Sequence, residues 1–250
     1  MKLNGARALV TGASSGIGAV TATRMAALGA APLLVGRSEQ ALDELAVSTG
    51  GRRLVADLSR PGAARDIADW AVSGAGGVDV LVCNAGIGWA GDLADQELGA
   101  IEELVTVNLT AHLGLARLLL PGMMAQRSGH LVLVSSIAGC LGVADEAVYA
   151  ATKAALRTFA DSVRLAVAGS GVGVSVVVPG VVDTPFFVRR GKAYDRTRPK
   201  PVPADEVAKA LVDAVLKNRA EVFVPAWLRL PTRLHGAVPG LVFQLQRRFG

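Results

Sequence analysis

Short apolar runs alternate along this chain with longer segments whose apolar residues recur at helical spacing. RALVTG reads as a first strand and GIGAVTATRMAALGA as the helix after it. APLLVGR and SEQALDELAVST repeat the pair, with Ser38 as the expected N-cap of the second helix. RRLVADL and PGAARDIADWAVSG form the third, with a proline near the helix start. VDVLVCNAG is a fourth strand, followed by a helical region from about Leu98 to Gln126. GHLVLVSSIAG is a fifth strand with its loop, and a helix carrying VYAATKAAL comes next. GVGVSVVVPG, the helix ADEVAKALVDAVLKN and a short EVFVP complete the series. This alternation predicts an α/β fold: a Rossmann-type, doubly wound, seven-stranded parallel sheet with helices on both faces. A closed eight-stranded barrel is the alternative, and the strand count stands against it.

Composition supports a buried sheet. Hydrophobic residues make up 51% of the 250 and aromatics only 4%, so the core is built from Val, Leu, Ile and Ala. No repeat or low-complexity linker divides the chain, which predicts one domain over 1–250. DTPFFVRRGKAYDRTRPKPVP, residues 183–203, is Pro-rich, basic and long. It is expected to be a substrate lid, the alternative being a surface excursion. MKLNGARALVTG holds no signal-like apolar run, and no stretch reaches the ~18 uninterrupted apolar residues of a membrane span. A cytoplasmic protein is expected. Cys83 and Cys140 form no CxxC pair and read as buried free thiols. His112, His130 and His235 lack metal-ligand spacing, so no metal is expected.

The net charge of +5 is unevenly spread. Residues 1–185 carry 13 basic and 16 acidic side chains, whereas residues 186–250 carry 13 and 5. The basic quarter could attract an anionic ligand or a lipid surface. Nucleic acid is not expected, because no reading motif or stacking platform is present.

Two clusters suggest chemistry. VTGASSGIG, between the first strand and its helix, brings Gly12, Gly16 and Gly18 to a turn where helix N–H groups can meet a diphosphate. Its spacing is GxxxGxG rather than GxGxxG, and no Gly-Lys-Ser/Thr of a Walker-A loop follows. Tyr149 and Lys153 lie four residues apart, on one face of a helix. They are either two amphipathic residues on a solvated face or a proton donor beside the cation that tunes it.

In order, the chain holds TGxxxGxG at 11–18, Asp57-Leu58, Asn84-Ala85-Gly86, Asn108, Ser136, Tyr149-x-x-x-Lys153 and Pro179-Gly180. This series resembles the short-chain dehydrogenase/reductase family, in its single-domain branch of about 250 residues, over roughly residues 5–225. The resemblance implies an NAD(P)-dependent oxidoreductase acting on a carbonyl/alcohol pair. It assigns Gly12, Ser14, Ser15, Gly16, Ile17 and Gly18 to the cofactor phosphates, and Asp57 to the adenine amino group with Leu58 beside it. Asn84, Ala85 and Gly86 would floor the adenosine, and Pro179, Gly180 and Thr184 would position the nicotinamide. Tyr149 resembles the general acid/base, its pKa drawn down by the oxidised nicotinamide and by Lys153, which also holds the nicotinamide ribose. Ser136, 13 positions earlier, would bind the substrate oxygen, with Ser135 as a neighbour that lacks that spacing. Asn108 resembles a helix-kink asparagine that holds a relay water.

Family members that prefer NAD usually end the second strand with an acid. Here Gly36 stands at that place and Arg37 follows. An arginine can bind a 2′-phosphate bidentately, and Ser38 adds a hydroxyl, so NADP(H) is expected, with NAD(H) still open. Ser15 counts against this, since many NADP users carry a second basic residue there. The expected pocket wall is Ile137, Cys140, Leu141, Val143 and Trp89, with Phe186 and Phe187 beginning the lid. These favour an apolar or mixed small ketone or alcohol. Asp145 and Glu146 read as acids at a helix N-terminus. A ketoreductase for carrier-bound acyl chains, drawn by the basic lid, is one alternative; a non-catalytic nucleotide-binding regulatory protein is another. By resemblance, a dimer or tetramer pairs through helices near 98–126 and 146–168.

WLRLPTRLHGAVPGLVFQLQRRFG, residues 227–250, is apolar and basic with no acid, and Pro231 and Pro239 divide it into short helical pieces. It is expected to fold over its own pocket or a partner subunit. The alternative is a peripheral membrane contact, with its arginines on anionic lipid.

Overall fold

The computed structural model describes residues 1–195, 199–240 and 242–244. β1 (Arg7–Thr11), β2 (Ala31–Gly36) and β3 (Arg52–Val55) alternate with α1 (Gly16–Ala27) and α2 (Glu39–Thr49). α3 (Ala63–Asp69) leads through a π-turn to β4 (Val80–Cys83), then to α4 (Leu98–Val105) and α5 (Ala111–Ala125). β5 (Gly129–Val134), α6 (Ala147–Ala166) and β6 (Val172–Pro179) follow. β7 (Val182–Asp183), α7 (Phe186–Arg189) and β8 (Val202–Pro203) bracket the segment expected to be a lid. α8 (Ala204–Lys217), β9 (Glu221–Val224) and α9 (Arg229–Ala237) complete the described elements.

Seven strands form one parallel sheet in the order β3-β2-β1-β4-β5-β6-β9. The sheet is buried on both sides, which is why its strands read as unbroken apolar runs. Alternate residues face opposite layers. Leu9, Leu81, Leu131, Leu133 and Val176 pack with Ile67, Leu115, Met123 and Leu156. Ala8, Val10, Val80, Val132 and Val177 pack with Ala22, Met25, Leu211 and Val215. β7 and β8 form a separate two-stranded parallel pair that closes the base of the 183–203 excursion.

The helical region from Leu98 does not run as one α-helix. A π-turn over Thr106–Thr110 separates α4 from α5. Leu98–Ala125 is long and apolar enough to cross a membrane by composition, with mean hydropathy 1.3. Its buried residues, among them Leu104, Leu115, Leu119 and Met123, belong to the hydrophobic core. Ser38 caps α2 as expected, its hydroxyl accepting from the Ala41 N–H at 3.4 Å.

Of the tail, Leu228 and Val242 are buried, whereas Trp227, Leu230, Leu234, Val238 and Phe243 are exposed. Pro231 sits in the first turn of α9, and Pro239 lies beyond its end. Leu241, Leu245, Arg247, Arg248 and Phe249 lie outside the described residues.

Two buried histidines link the fold to pH. Burial lowers His112 to about 3 and His130 to about 4. Both values lie below the unfolded value near 6.5, so their contribution is complete above pH ~6.5 and is lost as pH falls toward them. Each should cost about 1.4 kcal/mol per pH unit below ~6.5. Thermal denaturation should therefore show a falling Tm between pH 7 and pH 5. A His130→Asn variant should show a shallower fall, and a flat profile in the parent protein would contradict the neutral buried state.

Candidate active site

The carboxyl ends of the parallel strands open onto one cavity of about 1700 Å³. Ser136, Tyr149 and Lys153 line it, together with Gly12, Ser14, Ser15, Gly16, Ile17, Arg37, Ser38, Asp57, Leu58, Asn84, Ala85, Gly86, Pro179, Gly180 and Thr184. Gly18 and Asn108, expected among the contact residues, do not line it. Gly18 packs beneath the turn, where a Cβ would strike the Gly12 carbonyl. Asn108 is fully buried behind the wall.

The glycine turn is shaped for close approach. Gly12 and Gly16 take φ of +67° and +55°, in the left-handed region. A Cβ at Gly12 would lie 2.8 Å from Ala85 Cα, and one at Gly16 would lie 3.0 Å from Thr184 Cγ2. Thr11 pins the ends of β1 and β4 together: its hydroxyl accepts from the N–H groups of Asn84 and Ala85, each at 3.0 Å. The Asn84 side chain donates to the Thr11 carbonyl at 2.9 Å, so it braces the strand ends. This narrow floor, with N–H groups of a helix start above it, fits a dinucleotide's phosphates. Asp57 Oδ1 accepts from the backbone and hydroxyl of Ser59, each at 2.9 Å, and these bonds hold its pKa below the usual range.

The second half of the cavity carries Lys153 and Tyr149. Lys153 is 3% exposed, and its Nζ donates to the Val134 carbonyl at 3.0 Å. Burial lowers its pKa to about 8. Nζ lies 5.7 Å from the centre of the Tyr149 ring. Burial also raises the Tyr149 pKa, with a hydrogen bond to the Ser136 side chain acting in the opposite direction. In the protein alone burial is the largest influence on the phenol and raises it, so Tyr149 is protonated at neutral pH; the lowering expected from the sequence called on an oxidised nicotinamide as well as Lys153. Ser136 Oγ accepts from the Ala138 N–H at 3.2 Å and faces the cavity. Ser135 Oγ instead donates to the Lys153 carbonyl at 2.7 Å, bracing α6 against β5.

Asn108 sits in the π-turn. Its side chain accepts from the Ile87 N–H at 2.8 Å and donates to the Ile87 carbonyl at 2.9 Å. A Cβ at Gly86 would lie 3.3 Å from Asn108 Oδ1 and 3.4 Å from Lys153 Nζ, so these groups converge. His112 Nδ1 donates to the Asn108 carbonyl at 3.2 Å, and its Nε2 faces the Thr11 hydroxyl at 3.4 Å. The neutral imidazole thus ties the π-turn to the floor of the glycine turn. Periodicity gave His112 no distinction from any other helix residue.

Two expected wall residues lie elsewhere. Trp89 packs in a cluster with Leu104, Ala138 and Tyr149 rather than on the cavity surface. Cys140 is half-buried against the main core, its Sγ 3.8 Å from the Ser136 carbonyl, while Cys83 is fully buried. Ile137, Leu141, Val143, Phe186 and Phe187 do line the cavity, as do Trp227 and Leu228 of the tail. The Phe186 ring lies 5.5 Å from that of Tyr149. Asp145 pairs with Lys192 at 3.1 Å, and Glu146 pairs with Arg190. These acids therefore fasten the 183–203 segment to the start of α6. Arg189 reaches Ser15, its Nη2 donating to Oγ at 3.1 Å.

The sequence profile described as short chain dehydrogenase matches residues 6–195. A mouse protein, dehydrogenase/reductase SDR family member 7B, is 31% identical across 97% of this chain and 80% of its own length. The ketoacyl reductase HetN of a Nostoc strain is 36% identical across 89% of this chain and 79% of its own. A short-chain dehydrogenase from Sphingobium yanoikuyae, solved in complex with NADPH, superposes with a TM-score of 0.85 at 31% identity, covering 94% of each chain. With the sheet order, the glycine turn and the Tyr149–Lys153 pair in one cavity, the chain belongs to the short-chain dehydrogenase/reductase family of NAD(P)-dependent oxidoreductases acting on alcohols and carbonyls.

Proposed function

We propose that this protein is an NADP(H)-dependent oxidoreductase that interconverts a carbonyl and a secondary alcohol on an apolar or mixed small molecule. The observation that carries the reading is a protonated, buried Tyr149 beside the Lys153 ammonium, in the same cavity as the glycine turn and Arg37. The bound nicotinamide would supply or accept the hydride. Ser136 would hold the substrate oxygen, and Tyr149 would give it a proton during reduction or take one during oxidation. Lys153 would stabilise the phenolate left behind and hold the nicotinamide ribose. Asn108 would fix the wall behind Lys153.

The cofactor preference rests on Arg37 and Ser38, which follow Gly36 where an acid would repel a 2′-phosphate. The NADPH complex of the Sphingobium relative supports it. The lining by Ile137, Leu141, Val143, Phe186, Trp227 and Leu228 supports an apolar substrate. A ketoreductase for carrier-bound acyl chains is a second reading, supported by the name of the Nostoc relative. The pairing of Arg190 with Glu146 and Lys192 with Asp145 weighs against it, since those charges are engaged within the chain. Pairing of subunits through α4 to α6 would cover the exposed Leu98 and Leu165.

Tyr149→Phe should lower turnover on a ketone panel at least ~10²-fold while NADPH binding survives. Near-normal turnover in that variant would remove Tyr149 as the proton donor. Arg37→Gln should weaken NADPH binding much more than NADH binding in fluorescence titrations. Equal losses would show that Arg37 does not read the phosphate.

A further inference from the structure

Among the described residues of the lid, Arg189 is the cation whose partner is the glycine turn. It stands at the end of α7, is exposed and lines the common cavity. Its neighbours Arg190 and Lys192 pair with carboxylates, but Arg189 forms no ion pair among the described residues. Its guanidinium instead crosses the cavity mouth to the Ser15 hydroxyl at 3.1 Å, between residues 174 positions apart. Ser15 is the N-cap of α1, yet its side chain makes no capping hydrogen bond.

The place it reaches is specific. A Cβ at Gly36 would lie 3.1 Å from Ser14 Oγ, so the Ser14–Ser15 corner abuts the end of β2. Arg37 and Ser38 follow directly and line the same cavity. A guanidinium held there by one neutral hydroxyl has donors to spare for an anion.

We infer that Arg189 is a second reader of the cofactor's 2′-phosphate, carried by the lid, so that the lid closes preferentially over NADP(H). This rests on the NADP(H) reading above and extends it to the substrate side. The glycine turn has no cation of its own at position 15, and the lid supplies one in space. Phe186, one turn earlier, packs on Tyr149, while Arg190 and Lys192 hold the lid to the start of α6. A phosphate bound by Arg189 would therefore hold this end of the lid over the substrate pocket before substrate arrives.

The test uses the full-length protein without substrate. Fluorescence titration of Arg189→Gln should show NADPH affinity reduced about 10-fold, with NADH affinity unchanged. Chymotrypsin cleavage at Phe186 and Phe187 should be slowed by NADPH but not NADH in the parent, and that protection should vanish in Arg189→Gln. Equal losses for both cofactors would place Arg189 on the diphosphate and overturn the assignment, as would no loss at all. Arg37→Gln separates the two claims. If it loses NADPH selectively while Arg189→Gln does not, only the lid assignment fails. If the parent itself shows no preference for NADPH, both fail together.

Discussion

A buried ammonium constrains most of this structure. Removing a cation from water costs several kcal/mol, so Lys153 persists at 3% exposure only where dipoles are already aimed at it. The Val134 carbonyl at the end of β5 is one such dipole. The turn at Gly86 and the Asn108 side chain close in from the other side, leaving no room for a Cβ without adjustment. The end of β5, the turn after β4, the π-turn and α6 must all be in place for that ammonium to be tolerated. The same arrangement leaves a protonated phenol one helical turn away. The packing that makes Lys153 costly would thus also prepare the proposed proton-transfer site.

Topology explains why the two halves of the site meet. The chain runs outward from β1 through β2 to β3, then returns to start β4 on the other side of β1. Connections leave in opposite directions at that reversal, which opens a crevice at the carboxyl ends of the strands. Thr11 and Asn84 fasten the two sides of the crevice, and Gly12 lets Ala85 approach within it. His112 carries this bracing to the π-turn through the Asn108 carbonyl. The glycine turn and the π-turn behind Lys153 are therefore one hydrogen-bonded unit.

The strands were legible because a sheet buried on both faces leaves unbroken Val/Leu runs, and the glycine turn because only certain backbone angles permit it. Spacing put Tyr149 and Lys153 on one helix face but left their role open, and Ser136 came from the family resemblance; the structure brings all three to one cavity. The π-turn leaves no mark in the apolar pattern, and only the resemblance of Asn108 to a helix-kink asparagine pointed to a break there. Gly18 and Asn108 stand where sequence position suggested, but they act by packing behind the surface. Trp89 and Cys140 were misplaced for a related reason: apolar character marks burial without saying which side of a wall a residue faces. The contacts of the 183–203 segment were invisible, because Arg189–Ser15, Arg190–Glu146 and Lys192–Asp145 each join residues more than forty positions apart. The lowering expected of the phenol called on the nicotinamide as well as Lys153; in the protein alone burial raises it, a property of the fold that spacing does not carry.

These ionisations meet in one measurement. Tyr149 keeps its proton well into the alkaline range, whereas burial brings Lys153 to about 8. If the charged ammonium is what makes the phenol an effective acid, reduction should fail when Lys153 loses its proton, not when Tyr149 does. The pH profile of kcat/KM for reduction of a model ketone at saturating NADPH is the direct test. The account predicts a plateau through neutrality and a fall with an apparent pKa near 8. A profile that stays flat to pH ~10, the range of an ordinary lysine, would contradict it.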